Sequence, residues 1–153
     1  MIMQLHLRAA TNDDRAAIEQ LVFGVLVEFG LKPDPETTDA DLRDITGFYT
    51  SFDVLVDDAG QVVGTVGLWR VTETECELRK MYLAQQVRGT GSGRRLLDHA
   101  LERARELGFK RVTLETASVL RDAITLYERN GFRRYTPEHP VASRCDATYF
   151  REL

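Results

Sequence analysis

Residues 77–97 read ELRKMYLAQQVRGTGSGRRLL, and the way this stretch divides decides the fold. Glu77 to Leu83 alternates charged and apolar side chains, the pattern of a strand with two unlike faces. Gly89, Gly91 and Gly93 then crowd a turn, and a helix is predicted from about Ser92 to Leu107. Leu97, Ala100, Leu101, Ala104 and Leu107 form its buried stripe, and Gly108 ends it. A strand, a Gly-rich turn and a helix in this order put unhindered backbone N–H groups at a positive helix end. That is an anion site suited to a pyrophosphate. Arg88 and Arg94 flank the turn and can add charge-assisted contacts. Read alone, the turn is also a simple strand-to-helix connection.

Other glycine motifs fail on spacing. A dinucleotide fingerprint needs its third glycine three positions after the second, whereas Gly89, Gly91 and Gly93 are evenly spaced. No Gly-Lys-Ser/Thr tripeptide occurs, which excludes a nucleotide-phosphate loop. Thr90 stands where a nucleophile elbow would need glycine before Ser92.

Outward from this stretch, Leu5–Arg8 reads as a strand and Thr11 as a helix cap with Asp13 and Asp14 in the first turn. Ile18, Leu21, Val22, Val25 and Leu26 recur at helical spacing to Phe29, and Gly30 stops the run. Lys32–Asp39, with Pro33 and Pro35, is a loop, and Ala40–Tyr49 a second helix. Phe52–Asp57 and Gln61–Arg70 form a hairpin about Asp58-Ala59-Gly60. Gly64 and Gly67 inside it mark a bulge or a close backbone approach. Downstream, Arg111–Thr116 is a strand, Leu120–Asn130 a helix ended by Gly131, and Phe132–Tyr135 and Thr148–Arg151 are strands. A strand–helix–strand unit inside a hairpin-containing sheet gives a mixed α/β sheet, not a doubly wound parallel one.

Composition excludes several classes. The 153 residues fit one domain spanning 1–153, with 43% hydrophobic and 29% charged residues, as in ordinary globular proteins. No run of 18 apolar residues exists to span a membrane, and the opening MIMQLHLRAATNDD has no secretory pattern. Two cysteines, Cys76 and Cys145, are too few for a disulfide scaffold, and the expected setting is a reducing cytoplasm. His6, His99 and His139 have no metal-ligand spacing, so no metal is expected; His139 falls in a loop that can reach a site edge. Residues 1–75 hold 5 Lys and Arg against 14 Asp and Glu, and residues 76–153 hold 15 against 10. The halves read as an acidic face for cations and a basic one for anions, or as solvated surface. No dense basic run invites nucleic acid.

ELRKMYL, RGTGSGRRLL and the later AITLYERNGF resemble the acetyl-CoA-binding core of the GNAT N-acetyltransferase superfamily. The family signature of Arg or Gln, two residues, Gly, one residue, then Gly or Ala falls on Arg88, Gly91 and Gly93. The resemblance covers residues 77–132 and implies a central mixed sheet of about six or seven strands, flanked by about four helices. The sheet would splay between the strands at 77–83 and 111–116 and admit the thioester arm of acetyl-CoA. Main-chain groups of Met81 and Leu83 would pair with the pantetheine amides, and amides of Gly89, Thr90, Gly91, Ser92, Gly93 and Arg94 with the pyrophosphate.

The resemblance also places Tyr127 beside the thioester sulfur, as the acid that protonates the departing thiolate. Its ordinary pKa near 10, against about 8.5 for a thiol, suits that role. Glu77 matches a strand position where some members carry a base. Cys76 points to the other strand face and is not a nucleophile. Leu120 stands where many members hold the cofactor arm with Asn, leaving Thr116 and Ser118 as substitutes. Glu28 and Phe29 fall in the acceptor-side region, and Arg79 or Lys80 would hold the carboxylate of an amino-acid acceptor. The expected function is acetyl transfer to the primary amine of a small molecule, an amino acid or a polyamine-like compound. Transfer to a protein N-terminus or lysine, and a non-catalytic CoA-binding domain, are the alternatives. A monomer or a homodimer is expected.

Overall fold

The computed structural model describes residues 4–153, so the Met1-Ile2-Met3 start of the opening segment lies outside the described residues. In chain order the elements are β1 (His6–Ala9), α1 (Arg15–Glu28), α2 (Ile45–Phe48), β2 (Ser51–Val56), β3 (Val62–Arg70) and β4 (Glu75–Leu83). There follow α3 (Ser92–Glu106), β5 (Arg111–Thr116), α4 (Arg121–Arg129), β6 (Arg133–Arg134) and β7 (Ala147–Glu152). All strands join one seven-stranded sheet in the order β1-β2-β3-β4-β5-β7-β6. Among the described residues only β4 and β5 pair in parallel, so the sheet is mixed as the chain order predicts. Its two faces are packed by different parts of the chain. Leu96, Leu97, Ala100, Leu101 and Ala104 of α3 close one core over Leu55, Leu78 and Val112. Ile18, Val22 and Leu26 of α1 close the other over Phe52, Val54 and Val56.

Element ends follow local chemistry. Thr11 and Asp14 form a reciprocal capping box, though around a 3₁₀ turn at Asn12–Asp14 that leads into α1. The expected second helix at Ala40–Tyr49 is broken. A 3₁₀ turn at Ala40–Arg43 gives way at Asp44 to extended backbone, and α2 is one short turn beyond it. The Asp44 carboxylate accepts the Gly47 amide at 3.1 Å while Asn12 Oδ1 accepts the Ile45 amide at 2.9 Å. Side-chain acceptors thus outcompete the helical carbonyls.

Both readings of the β3 glycines apply. The β2–β3 register slips beside Gly64, and a Cβ on Gly67 would sit 2.8 Å from the Tyr49 and Phe52 rings. A second bulge arises in β4: Thr65 pairs Tyr82 and Gly67 pairs Arg79, so Lys80 and Met81 together face Val66 alone. Lys80 carries the left-handed φ of +57° there, the one non-glycine residue to do so among the described residues. Its carbonyl is held by the Thr65 hydroxyl at 2.6 Å.

Candidate active site

The parallel pairing of β4 with β5 covers only Glu75, Cys76 and Glu77 against Arg111, Val112 and Thr113. Past that point β5 stays with β7 through Thr116, while β4 stays with β3 to Leu83. The two strands diverge, and a cavity of about 600 Å³ opens between them. Glu77, Arg79, Met81, Thr113, Glu115 and Tyr127 are among its lining residues. A backbone in this gap has β4 groups to bond with: Leu83 turns its carbonyl away from β3, toward Arg88, and Met81 two residues earlier shares that side.

The glycine turn lies beyond the end of β4. Gly89 and Gly91 adopt φ of +74° and +84°, and a Cβ on either would meet no protein atom within 4 Å. These positions therefore need glycine for backbone conformation, with open space in front of them. Gly91 caps α3 without any side-chain bond, and the helical ladder begins with Arg95 N–H to Gly91 C=O at 3.1 Å. The amides just before it are the orphan donors of a helix start. A second hollow of about 360 Å³ is lined here by Gln86, Val87, Thr90, Gly91, Ser92 and Arg95. The residues present fit a pyrophosphate.

The flanking arginines divide the work. Arg94 is exposed, 3.5 Å from Asp98, and able to turn toward an anion. Arg88 instead folds back. It donates to the Leu83 carbonyl at 3.0 and 3.1 Å, pairs with Glu28 at 2.5 and 2.9 Å and lies 5.1 Å from the Phe29 ring centre. Glu28 and Phe29, expected on the acceptor side, are not among the residues lining the cavity between β4 and β5; they brace Arg88. The Leu83 carbonyl, expected to bond pantetheine, already has this partner.

Tyr127 is fixed by the residues that follow it. Gly131, at φ +87°, closes α4, and the Phe132 amide donates to the Tyr127 carbonyl at 3.1 Å. This is the Schellman cap, completed by ring packing of Tyr127 on Phe132 at 5.7 Å. The Tyr-x-x-x-Gly-Phe spacing is thus a device for seating one phenol in the cavity wall. Burial, with a smaller contribution from Tyr82, pushes that phenol well above its ordinary pKa, so it stays protonated.

Glu77 is buried and donates nothing, but accepts from Arg79 Nε at 2.5 Å. Burial raises its pKa; Arg79 counters and Glu115 adds to the rise, leaving it above the ordinary carboxylate value. Arg79 is stacked 4.3 Å from the Trp69 ring centre. Lys80 borders the cavity, but its Nζ lies 3.1 Å from Asp39 and 3.3 Å from Asp41, so its charge is already paired. Cys76 lies in the core on the α3 side, its thiol pushed up to about 12 by burial, consistent with no nucleophilic role.

Thr116 lines the cavity, whereas Ser118 is committed to Asp146 by bonds of 2.6 and 2.7 Å. Leu120 also lines it. His139, Ala142, Arg144 and Cys145, from the segment joining β6 to β7, complete the wall. Of these, His139 and the Arg144-Cys145 pair stand out in the sequence as loop residues able to reach a site edge, whereas Ala142 carries no signal. The acidic and basic halves of the chain meet in ion pairs: Glu28 with Arg88, and Asp39 with both Lys80 and Arg144. Among the described residues no group of His, Cys, Asp and Glu could hold a metal, and no helix is long and apolar enough to cross a membrane.

A sequence model of the Acetyltransferase (GNAT) family matches residues 15–132. The chain is 40% identical to the uncharacterized N-acetyltransferase YjgM of Escherichia coli (strain K12), over 96% of this chain and 94% of that one. N-acetyltransferase 8 of Rattus norvegicus is 34% identical over 61% of this chain and 46% of its own length. An acetyltransferase of the GNAT family from Staphylococcus aureus Mu50 superposes with a TM-score of 0.91 at 23% identity, over 98% of this chain and 99% of that one. N-acetylglutamate synthase from Neisseria gonorrhoeae, solved with coenzyme A and N-acetyl-glutamate, gives 0.73 at 21% identity, over 100% of this chain and 36% of that one. Splayed strands, a glycine turn on a helix start and this likeness agree: the chain belongs to the GNAT family of N-acetyltransferases.

Proposed function

We propose that the protein transfers the acetyl group of acetyl-CoA to the primary amine of a small molecule, as a single domain in the cytoplasm. The supporting observation is the cleft in the splay, which brings Glu77 and Tyr127 to the wall of one open cavity of about 600 Å³. Acetyl-CoA supplies an activated acyl group. Amides 89–94 hold its pyrophosphate, and the β4 edge at Met81 orients its arm.

An alkylammonium with pKa near 10 must lose a proton before attack, a cost of about 4 kcal/mol at pH 7. Glu77, its pKa raised by burial, takes that proton directly or through a water. The amine nitrogen bonds to the thioester carbon, the carbon–sulfur bond breaks, and the Tyr127 hydroxyl gives its proton to the sulfur. The proton then shed by the acylated nitrogen restores the phenol, and Glu77 releases its own proton to solvent. No covalent enzyme intermediate is needed.

A polyamine-like acceptor fits better than an amino acid. Arg79, Lys80 and Arg144 are each paired with carboxylates, so an acceptor carboxylate would have to displace one of them. The test is a product-mass screen with acetyl-CoA, comparing polyamines, amino acids and a lysine peptide. Acetylated polyamine with unmodified peptide supports the proposal; acetylation of the peptide alone overturns it.

A further inference from the structure

Part of the cavity wall is held by an ion cluster that the transfer chemistry leaves unused. Asp39, on the segment between α1 and α2, is its hub. One of its oxygens accepts from Arg144 Nη2 at 2.6 Å and lies 3.1 Å from Lys80 Nζ. The other accepts from Arg144 Nη1 and from the Asp34 amide, both at 2.8 Å. Arg144 also donates to the Lys32 carbonyl at 3.2 Å, and Lys80 to the Thr38 carbonyl at 3.4 Å. The Asp39 side chain is 0% exposed, Lys80 6% and Arg144 12%. Burial pushes the Asp39 carboxyl up, but the Arg144 bonds, the Asp34 amide and the Lys80 charge together hold it below its ordinary value.

Three segments remote in sequence meet at this carboxylate, and each contributes to the cavity. Thr37 and Thr38 flank Asp39, Met81 follows Lys80 at the β4 bulge, and Ala142 and Cys145 surround Arg144. Lys80 is the residue held at left-handed φ, so its salt bridges fix the side chain of the strained position itself. Desolvating several charges is a costly way to join loops where apolar packing would serve, which points to a demand for position over stability.

We propose that Asp39 is a positioning residue for acetyl transfer: its carboxylate clasps the β4 bulge to the segment joining β6 and β7, and so sets the shape of the acceptor half of the cavity. The proposal rests on reading the cavity as the acceptor site. The clasp touches neither the glycine turn nor Tyr127, and it reaches the donor side only through Met81, which follows Lys80 in the bulge.

The test compares wild type with Asp39→Asn, which keeps size but loses charge, and Arg144→Lys, which keeps charge but loses the two-pronged contact. The acceptor is whichever panel amine wild type turns over fastest. Asp39→Asn should raise acceptor KM at least tenfold while kcat falls less and acetyl-CoA Kd, held mainly at the glycine turn, rises far less than acceptor KM, and Arg144→Lys should fall between wild type and Asp39→Asn. Backbone amide exchange should quicken together at 79–82 and 136–146. A lower Tm with unchanged acceptor KM, or loosening of only one of the two segments, overturns the proposal. Should Asp39→Asn fail to fold, Arg144→Lys and Arg144→Gln decide by the same criteria. If wild type binds acetyl-CoA but acetylates no panel amine, the small-molecule reading falls separately. The exchange arm then decides the clasp: joint loosening supports it and single-segment loosening refutes it.

Discussion

In the proposed function the two ends of the splay use different parts of the polypeptide to hold their ligands. At the glycine turn the working groups are main-chain amides, aimed by positive φ at Gly89 and Gly91 and by the start of α3. At the acceptor end they are side chains, aimed by ion pairs among Asp39, Lys80 and Arg144. A turn built from backbone suits the proposed co-substrate, whose pyrophosphate does not vary. Side chains drawn from three segments can be exchanged one at a time without disturbing that turn.

This contrast can be broken at either end. The largest effect is expected from Gly91→Trp. The ring would fill open space in front of the orphan amides and the backbone would be forced to an unfavourable φ, costing about 1–2 kcal/mol locally. Acetyl-CoA binding by calorimetry should fall by about 100-fold or more with the fold retained; wild-type affinity would mean those amides are not the anion site.

Tyr127→Phe keeps the ring and its Schellman cap but removes the proton donor, and should lower kcat by about 100-fold, at the low end for general acids, with acetyl-CoA Kd unchanged. Equal kcat would remove the phenol from the mechanism. Glu77→Gln should cost about tenfold at pH 7, and its signature is the pH profile. The Glu77 pKa is raised, so wild-type kcat/KM should climb with pH through a value above the ordinary carboxylate figure of about 4.3, and that limb should vanish in Glu77→Gln. The same shift makes Glu77 favour the folded state only at low pH; its contribution is lost as pH rises from about 4.3 through the folded value.

The smallest effects separate packing from binding. Gly67→Ala drives a Cβ against the Tyr49 and Phe52 rings at 2.8 Å and should cost about 1–3 kcal/mol, read as a lower Tm. Gly93→Ala makes only ordinary contacts, 3.4 Å to Leu126 and 3.5 Å to Leu83, and should leave Tm nearly unchanged.

Legibility in the sequence follows the same division. Helix ends at Gly30, Gly108 and Gly131 and the turn at 88–93 are governed by neighbours within a few residues, so spacing discloses them. The mixed character of the sheet follows from those boundaries, but the insertion of β7 between β5 and β6 does not, because it rests on pairing between distant segments. The second helix was misplaced because Asp44 and Asn12 compete for its amides, and Asn12 lies 33 residues from Ile45. The β4 bulge had no local mark: a lysine at φ +57° inside an alternating strand looks like any other strand residue. The clasp joins positions 105 residues apart, and Glu28 looked like an acceptor-side acid until its bond to Arg88 came into view.

The joint placement of donor and acceptor about the splay is tested most directly by an amide-resolved NMR titration with acetyl-CoA. Shifts should concentrate at Gly89–Arg94 and at Met81 along β4, while 136–146 stays unmoved until an amine is added. Shifts that spare the glycine turn, or that appear first in 136–146, would contradict the division between a backbone-built donor end and a side-chain-built acceptor end.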